Sequence, residues 1–238
     1  MGTLVVTGGS RGIGSAIAQR ALADGFEVVV LDRLAPIDER VHFYEIDLSD
    51  RAAVAALAAG IAERHAVTHF VHNAGVIRPA LLDQVELVDL DYLTELHLAA
   101  PIALMQAFLP AMRAEGHGRI VHVSSRAALG LETRSVYSAT KAALIGLTRT
   151  WALELGPEGI TVNAVAPGPV VTGMFGELVP DDPELRARIA SGIPVRRLGM
   201  PEDIAHAVAF LLDARSGFVN GQTLFVCGGA SVGTLSFS

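Results

Sequence analysis

The chain has one cysteine, Cys227, in 238 residues, so no internal disulfide can brace it and its stability has to come from packing. Aromatic residues make up only 5% against 51% hydrophobic residues overall. Basic residues are few and scattered: 18 Lys and Arg against 25 Asp and Glu leave a net charge of −7, the opposite of a nucleic-acid footprint. No Gly/Ser linker, charge block, repeat or low-complexity segment divides the sequence. His65, His69 and His72 stand near acids but never at a spacing that puts metal ligands on one face, so no metal site is expected. The uncharged stretch Leu96 to Met112 is short for a membrane span and is interrupted by His97, Pro101, Gln106 and Pro110, which predicts a buried helix. The first apolar run begins almost at Met1, leaving no space for a leader, and the expected compartment is the cytoplasm.

What is present is a regular alternation. Seven short runs rich in Val and Ile, near residues 3–7, 26–31, 41–46, 69–73, 118–124, 160–165 and 222–226, are separated by helical stretches. Runs that are apolar at every position suit strands covered on both faces. The expected fold is a single α/β domain over residues 1–238: a doubly wound, seven-stranded parallel sheet with helices on both faces, large enough for a substantial core.

The first run ends in Thr7-Gly8-Gly9-Ser10-Arg11-Gly12-Ile13-Gly14 and leads into a helical pattern, Ser15 to Ala23. Glycines permit positive φ and let main-chain amides approach a pyrophosphate, and the following helix offers free N–H groups at its positive end. A plain turn would need one glycine. The spacing is TGxxxGxG and not the commoner GxGxxG. A second run ends at Asp32, where a carboxylate would accept hydrogen bonds from an adenosine ribose and repel a 2′-phosphate, favouring NAD over NADP. Arg11 and Arg33 pull the other way, because either guanidinium would suit such a phosphate and keeps NADP possible.

Tyr137 and Lys141 stand four residues apart in YSATK, and the surrounding composition predicts a helix from Val136 to about Gly156, which puts both on one face. An ammonium about 4 Å from a phenol would favour phenolate by up to ~4 kcal/mol at an effective dielectric of ~20, bringing a group with pKa about 10 toward neutral pH. Twelve and thirteen residues before the tyrosine lie Ser125 and Ser124, which point to opposite sides if they continue a strand. A hydroxyl, a phenol and an ammonium beside a dinucleotide site are the parts of a hydride-transfer enzyme.

TGxxxGxG, the Asn73-Ala74-Gly75 triplet, the Ser–Tyr–Lys set and the Pro167-Gly168 turn occur in that order, and together they resemble the single-domain short-chain dehydrogenase/reductase family from Gly2 to about Gly229. The resemblance implies reversible oxidation of a secondary alcohol to a ketone. Ser125, the second residue of the SS pair, would hold the substrate oxygen, Tyr137 would act as general acid/base, and Lys141 would lower the tyrosine pKa and bind the nicotinamide ribose. It further implies a cofactor site of Gly8, Ser10, Arg11, Gly12, Ile13, Gly14, Asp32, Arg33, Asp47, Leu48, Asn73, Ala74, Gly75, Tyr137, Lys141, Pro167, Gly168, Val170 and Thr172, a small-molecule substrate, and a homotetramer. Asp47 would meet the adenine, and Thr172 belongs to the segment that holds the carboxamide.

Two positions depart from the family's pattern. The family's asparagine, 28 residues before the second serine, is replaced by His97, either a contributor to the proton relay or a core histidine. Cys227 stands where the last strand motif often carries Asp, a change expected to affect packing only. The proline-broken segment 173–197 is expected to form a lid, with Met174, Phe175 and Leu178 offering apolar lining and Arg126 or Arg134 meeting an anionic group. Rivals are an NADPH-dependent 3-oxoacyl-[acyl-carrier-protein] reductase and, from another class, a dinucleotide-sensing regulator without turnover. A third reading places an oligomer face on Leu104, Phe108 and the helix of Trp151 and Leu155.

Overall fold

The computed structural model describes residues 2–232. In chain order the elements are β1 (Thr3–Thr7), α1 (Gly12–Ala23), β2 (Glu27–Asp32), β3 (His42–Glu45), α2 (Arg51–Arg64), β4 (Val67–His72), α3 (Leu87–Thr94), α4 (Ala100–Glu115), β5 (Gly118–Val123), α5 (Ser135–Leu155), β6 (Ile160–Pro167), α6 (Gly173–Leu178), α7 (Pro183–Ser191), α8 (Pro201–Leu212) and β7 (Thr223–Val226). All seven expected runs are strands. They form one parallel sheet in the order β3-β2-β1-β4-β5-β6-β7.

Alternation along each strand sorts the aliphatic side chains into two cores. Val5, Leu31, Phe70, Ile120 and Val162 face α2, α4 and α5, packing on Ile61, Leu104, Phe108, Met112 and Leu155. Leu4, Val6, Val30, Val71, Val121 and Val165 face α1 and α8, packing on Ile17, Ile204, Val208 and Leu211. Each such fully buried aliphatic side chain contributes about 1.5–3 kcal/mol of transfer free energy. Leu104 and Phe108 are fully buried and Leu155 nearly so: these three side chains belong to the sheet-facing side of α4 and α5 and offer no surface to a partner, whereas Leu153 on the other side of α5 is exposed.

The stretch Leu87–Glu115 is long and apolar enough by length and composition to cross a membrane, but here its apolar side covers the sheet as the uncharged run predicted. Between α3 and α4 the helix widens by one residue over Glu95–Ala99, where the Ala100 N–H reaches back five residues to the Glu95 carbonyl. An inserted residue rotates the side chains after it. His97, at the centre of the wide turn, is fully buried.

Candidate active site

β2 and β3 extend the sheet to one side of β1 and β4 to β7 extend it to the other, so the chain switches direction between β1 and β4. The crevice beyond the carboxyl ends of these two strands is where a doubly wound sheet binds ligands. The glycine turn sits there. Gly8 (φ +65°) and Gly12 (φ +53°) occupy left-handed conformations, and a Cβ on Gly14 would come within 1.9 Å of the Gly8 carbonyl oxygen. The Asn73 side-chain amide donates to the Gly8 and Thr7 carbonyls at 2.9 and 3.2 Å. The Asn73 and Ala74 main-chain N–H groups in turn donate to the Thr7 hydroxyl at 3.0 and 3.1 Å, locking the turn to the end of β4.

At the start of α1, Arg11 provides no side-chain cap and no acid stands in the first turn. The amides and the positive end of the helix dipole are thereby left for an anion, which fits a dinucleotide pyrophosphate. Ser10 is buried beneath the turn, and its N–H donates to Asp32 at 3.0 Å. The other Asp32 oxygen accepts from the Leu34 N–H at 3.2 Å, so the carboxylate is fixed at the end of β2. Arg11 is exposed, and Arg33 lies 3.9 Å from the Asp47 carboxylate, which also accepts from the Ser49 amide and hydroxyl. Leu48 is buried in the first core and Ile13 is half-buried against the second, so both side chains chiefly pack.

On the far side of the crevice the Gly168 N–H donates to Val226 at 3.0 Å, and a Cβ on Gly168 would lie 2.8 Å from Cys227. Cys227 is buried there with its thiol 3.1 Å from the Ser231 hydroxyl. Val170 is buried and pairs with Gly199. Thr172 caps α6, and its methyl would lie 3.3 Å from a Cβ on Gly12, so this segment closes against the glycine turn. The segment 173–197 carries α6 and α7; Met174 and Phe175 are half-buried, and the side chain of Leu178 lies outside the described residues.

Beyond β5 the two serines part. The Ser124 hydroxyl is buried and donates to the Lys141 main-chain carbonyl at 2.7 Å, a structural bond. Ser125 is half-buried; its hydroxyl accepts from the Ala127 N–H at 3.1 Å and lies near enough to the Tyr137 phenol to pull its pKa down. Lys141 is buried one turn after Tyr137, with Nζ donating to the Val123 carbonyl at 2.9 Å and standing 5.7 Å from the phenol ring centre. Ser125, Tyr137, Lys141 and His97 therefore meet at one place.

The electrostatics differ from the sequence expectation. Burial raises the Tyr137 pKa above its ordinary value, against the downward pull of the Ser125 hydroxyl and the Arg134 charge. Lys141 is brought down to about 7 by its own burial. The reason is geometric: the amine is turned to the Val123 carbonyl and has itself lost much of its preference for the charged form. Arg134 is half-buried, its guanidinium held by the hydroxyl and carbonyl of Thr133, while Arg126 is half-buried at the start of the turn after β5.

His97 lies with its ring centre 5.8 Å from that of Tyr137, edge to face. Its Nδ1 is 2.8 Å from the Thr140 hydroxyl and its Nε2 is buried without a hydrogen-bond partner. Burial and the nearby Lys141 hold its pKa down at about 2, so the ring is neutral. Sequence reasoning missed Thr140 and the buried His122; His72, named there beside His65 and His69, is buried too and pairs in register with His122 on β4 and β5. The signal was available in two similar strand ends, Val71-His72 and Val121-His122, and in the threonine inside YSATK. A cavity of about 1140 Å³ opens among Thr3, Thr68, His69 and His117 at the opposite end of the strands and contains none of these groups.

Comparison with known proteins agrees with this geometry. The family described as enoyl-(acyl carrier protein) reductase matches residues 8–231. The chain is 37% identical over 240 residues to (2S)-[(R)-hydroxy(phenyl)methyl]succinyl-CoA dehydrogenase subunit BbsD of Thauera aromatica, covering 96% of each. It is 35% identical over 235 residues to 3-oxoacyl-[acyl-carrier-protein] reductase FabG of Escherichia coli, covering 94% of this chain and 95% of FabG. Among solved structures it resembles a putative NAD(P)-dependent gluconate 5-dehydrogenase from Beutenbergia cavernae with bound NADP, with a TM-score of 0.91 at 36% identity and 97% of each chain covered. With the switch-point glycine turn and the Ser–Tyr–Lys cluster on one sheet, these matches place the chain in the short-chain dehydrogenase/reductase family, as a single-domain oxidoreductase of the NAD(P)-binding type.

Proposed function

We propose that the protein interconverts a small secondary alcohol and a ketone, using NAD(H) in preference to NADP(H). The observation that carries this reading is the buried Tyr137–Lys141 pair with the Ser125 hydroxyl beside the phenol, at the carboxyl end of the switch point. The residues around the glycine turn would hold the dinucleotide, whose nicotinamide supplies the hydride chemistry. Ser125 donates to the substrate oxygen and fixes it beside the phenol. Tyr137 gives its proton to that oxygen in reduction and takes it back in oxidation. Lys141, brought down to about 7 by its burial, changes protonation in the working range with its Nζ 5.7 Å from the phenol ring centre. Asp32, fixed by two main-chain amides, supports NAD because a 2′-phosphate would face it.

In this reading residues 1–238 act as one dinucleotide-binding and catalytic domain, with 173–197 as the substrate lid, in a cytoplasmic homotetramer, a reading that the family likeness supports. A second reading, an NADPH-dependent 3-oxoacyl-[acyl-carrier-protein] reductase, is favoured by the similarity to FabG and by the exposed Arg11 beside the turn. The test is a panel of alcohols and ketones followed by NADH and NADPH absorbance, with Tyr137→Phe beside the wild type. Tyr137→Phe is expected to lower kcat/KM by ~10²–10⁴-fold with NAD affinity nearly unchanged. More than a tenth of wild-type turnover, with the same pH dependence, would remove Tyr137 as the proton donor.

A further inference from the structure

Three fully buried histidines, His72, His97 and His122, share an arrangement: Nδ1 meets a threonine hydroxyl and Nε2 has no hydrogen-bond partner. The threonines decide where each ring carries its proton, because a hydroxyl has one hydrogen to give. The Thr140 hydrogen is directed to the Val136 and Tyr137 carbonyls of its own helix, both at 3.1 Å. Toward His97 Nδ1 the Thr140 oxygen can then only accept, so the proton sits on Nδ1 and Nε2 is a bare lone pair. Thr148 does the same to His122, since its hydroxyl donates to the Leu144 carbonyl at 2.8 Å. Thr7 does the opposite. Its oxygen accepts from two main-chain N–H groups, its hydrogen goes to His72 Nδ1, and His72 carries its proton on Nε2.

The bare Nε2 of His97 lies near the Lys141 ammonium without being hydrogen-bonded to it. A Cβ built on Gly75 would lie 2.9 Å from His97 Nε2 and 3.3 Å from Lys141 Nζ, so the two atoms border one small space that only a glycine leaves open. Lys141 spends one N–H on the Val123 carbonyl and has two more. An ammonium and a lone pair bordering one space are matched and can be joined through one water that accepts from Nζ and donates to Nε2, whereas an imidazole with its proton on Nε2 would bring two donors to that space. We infer that Thr140 and His97 form a positioning pair, in which Thr140 fixes the Nδ1–H tautomer of His97 and the bare Nε2 orients the Lys141 ammonium beneath Tyr137. The histidine at the family's asparagine place thus serves as an acceptor and does not carry the proton. Burial and Lys141 keep it neutral, and the other titratable groups facing this space are Tyr137 on α5, His72 on β4 and His122 on β5.

This inference rests on the proposed reaction for its kinetic arm only. The first measurement is ¹⁵N NMR of the histidine rings in the intact protein, with His97→Asn assigning the signal. His97 is expected as the Nδ1–H tautomer with no titration between pH 5.5 and 9. An Nε2–H tautomer, or a titration in that range, would overturn the proposal whatever the substrate proves to be. In the kinetic arm Thr140→Val, isosteric without the hydroxyl, is expected to release the tautomer, lower kcat by about tenfold or more and shift the Lys141 limb of the pH profile. Thr140→Ser should restore both readouts, and His97→Asn, which keeps an acceptor, should retain more activity than His97→Ala. Full activity with an unchanged profile in Thr140→Val would refute it, and should that variant not fold, the wild-type tautomer and the Ser, Asn and Ala variants decide.

Discussion

Four buried histidines should make this protein sensitive to mild acid well before its carboxylates titrate. His97 and His122 have pKa values of about 2 and about 3, His69 about 4, and His72 lies well below the ordinary value; in each case burial is the chief cause. The folded state refuses a proton that the unfolded chain accepts near pH 6.5, so stability is complete above pH 6.5 and is lost as pH falls through it. Between pH 7.5 and 5.5 each such ring costs about 1.4 kcal/mol, and four together about 6 kcal/mol, comparable to the whole stability of an ordinary domain. Lys141, at about 7 where the unfolded chain keeps its proton, adds in the same direction, whereas Asp38, Asp203 and Asp213 sit at about 2 and do not titrate in this window. The assay is built in: Trp151 is the only tryptophan, and its ring lies 5.1 Å from that of His122. Urea unfolding followed by its fluorescence at pH 7.5 and 5.5 should show a loss of several kcal/mol. In His122→Asn the loss between the two pH values should shrink by about 1.4 kcal/mol, one ring's share. A wild-type difference below about 1 kcal/mol would refute the reasoning.

The strands were legible because a two-sided parallel sheet demands residues that are apolar at every position, and Leu4-Val5-Val6 or Val28-Val29-Val30 have no other use. The glycine turn was legible for a related reason: Gly14 stands where any Cβ would strike the Gly8 carbonyl, so local geometry writes itself into composition. The Tyr137–Lys141 pair was readable from helical spacing, yet its electrostatics were not. Their sign depends on how deeply α5 is buried and on the Val123 carbonyl that takes the lysine's hydrogen bond, and both are tertiary facts. Ser124 and Ser125 could be told apart by resemblance in the sequence, but the physical reason appears only in space, where the first is tied to the Lys141 carbonyl and the second lies beside the phenol. His97 was visible as a departure. That it faces inward depends on the one-residue widening of the helix at Glu95–Ala99, for which no sequence signal was read, and its partner Thr140 belongs to an element 43 residues away.

Two predictions bear on the cofactor and the lysine. Wild-type protein should show higher kcat/KM with NAD(H) than with NADP(H), and Asp32→Ala should narrow the gap; a clear wild-type preference for NADPH would show that Arg11 and Arg33 dominate and would promote the 3-oxoacyl reductase reading. Lys141→Met should abolish efficient turnover while stabilising the fold at low pH, because the cost of burying an ammonium disappears with it. Burial brings the Lys141 pKa from 10.5 to about 7, so below pH 7 the folded state carries a charging cost on the order of 4–5 kcal/mol, which fades as pH rises toward 10.5. Against this, the variant leaves the Val123 carbonyl without its donor, at about 1–3 kcal/mol. The variant should therefore be the more stable protein at pH 6, by roughly 2 kcal/mol, and lose that advantage by pH 9 to 10. Urea titrations of both proteins at pH 6 and pH 9.5 measure the crossing directly. A stability difference that stays constant across that range would mean that Lys141 is not held at a lowered pKa, and the role given to it as the group that changes protonation beneath Tyr137 would have to be withdrawn.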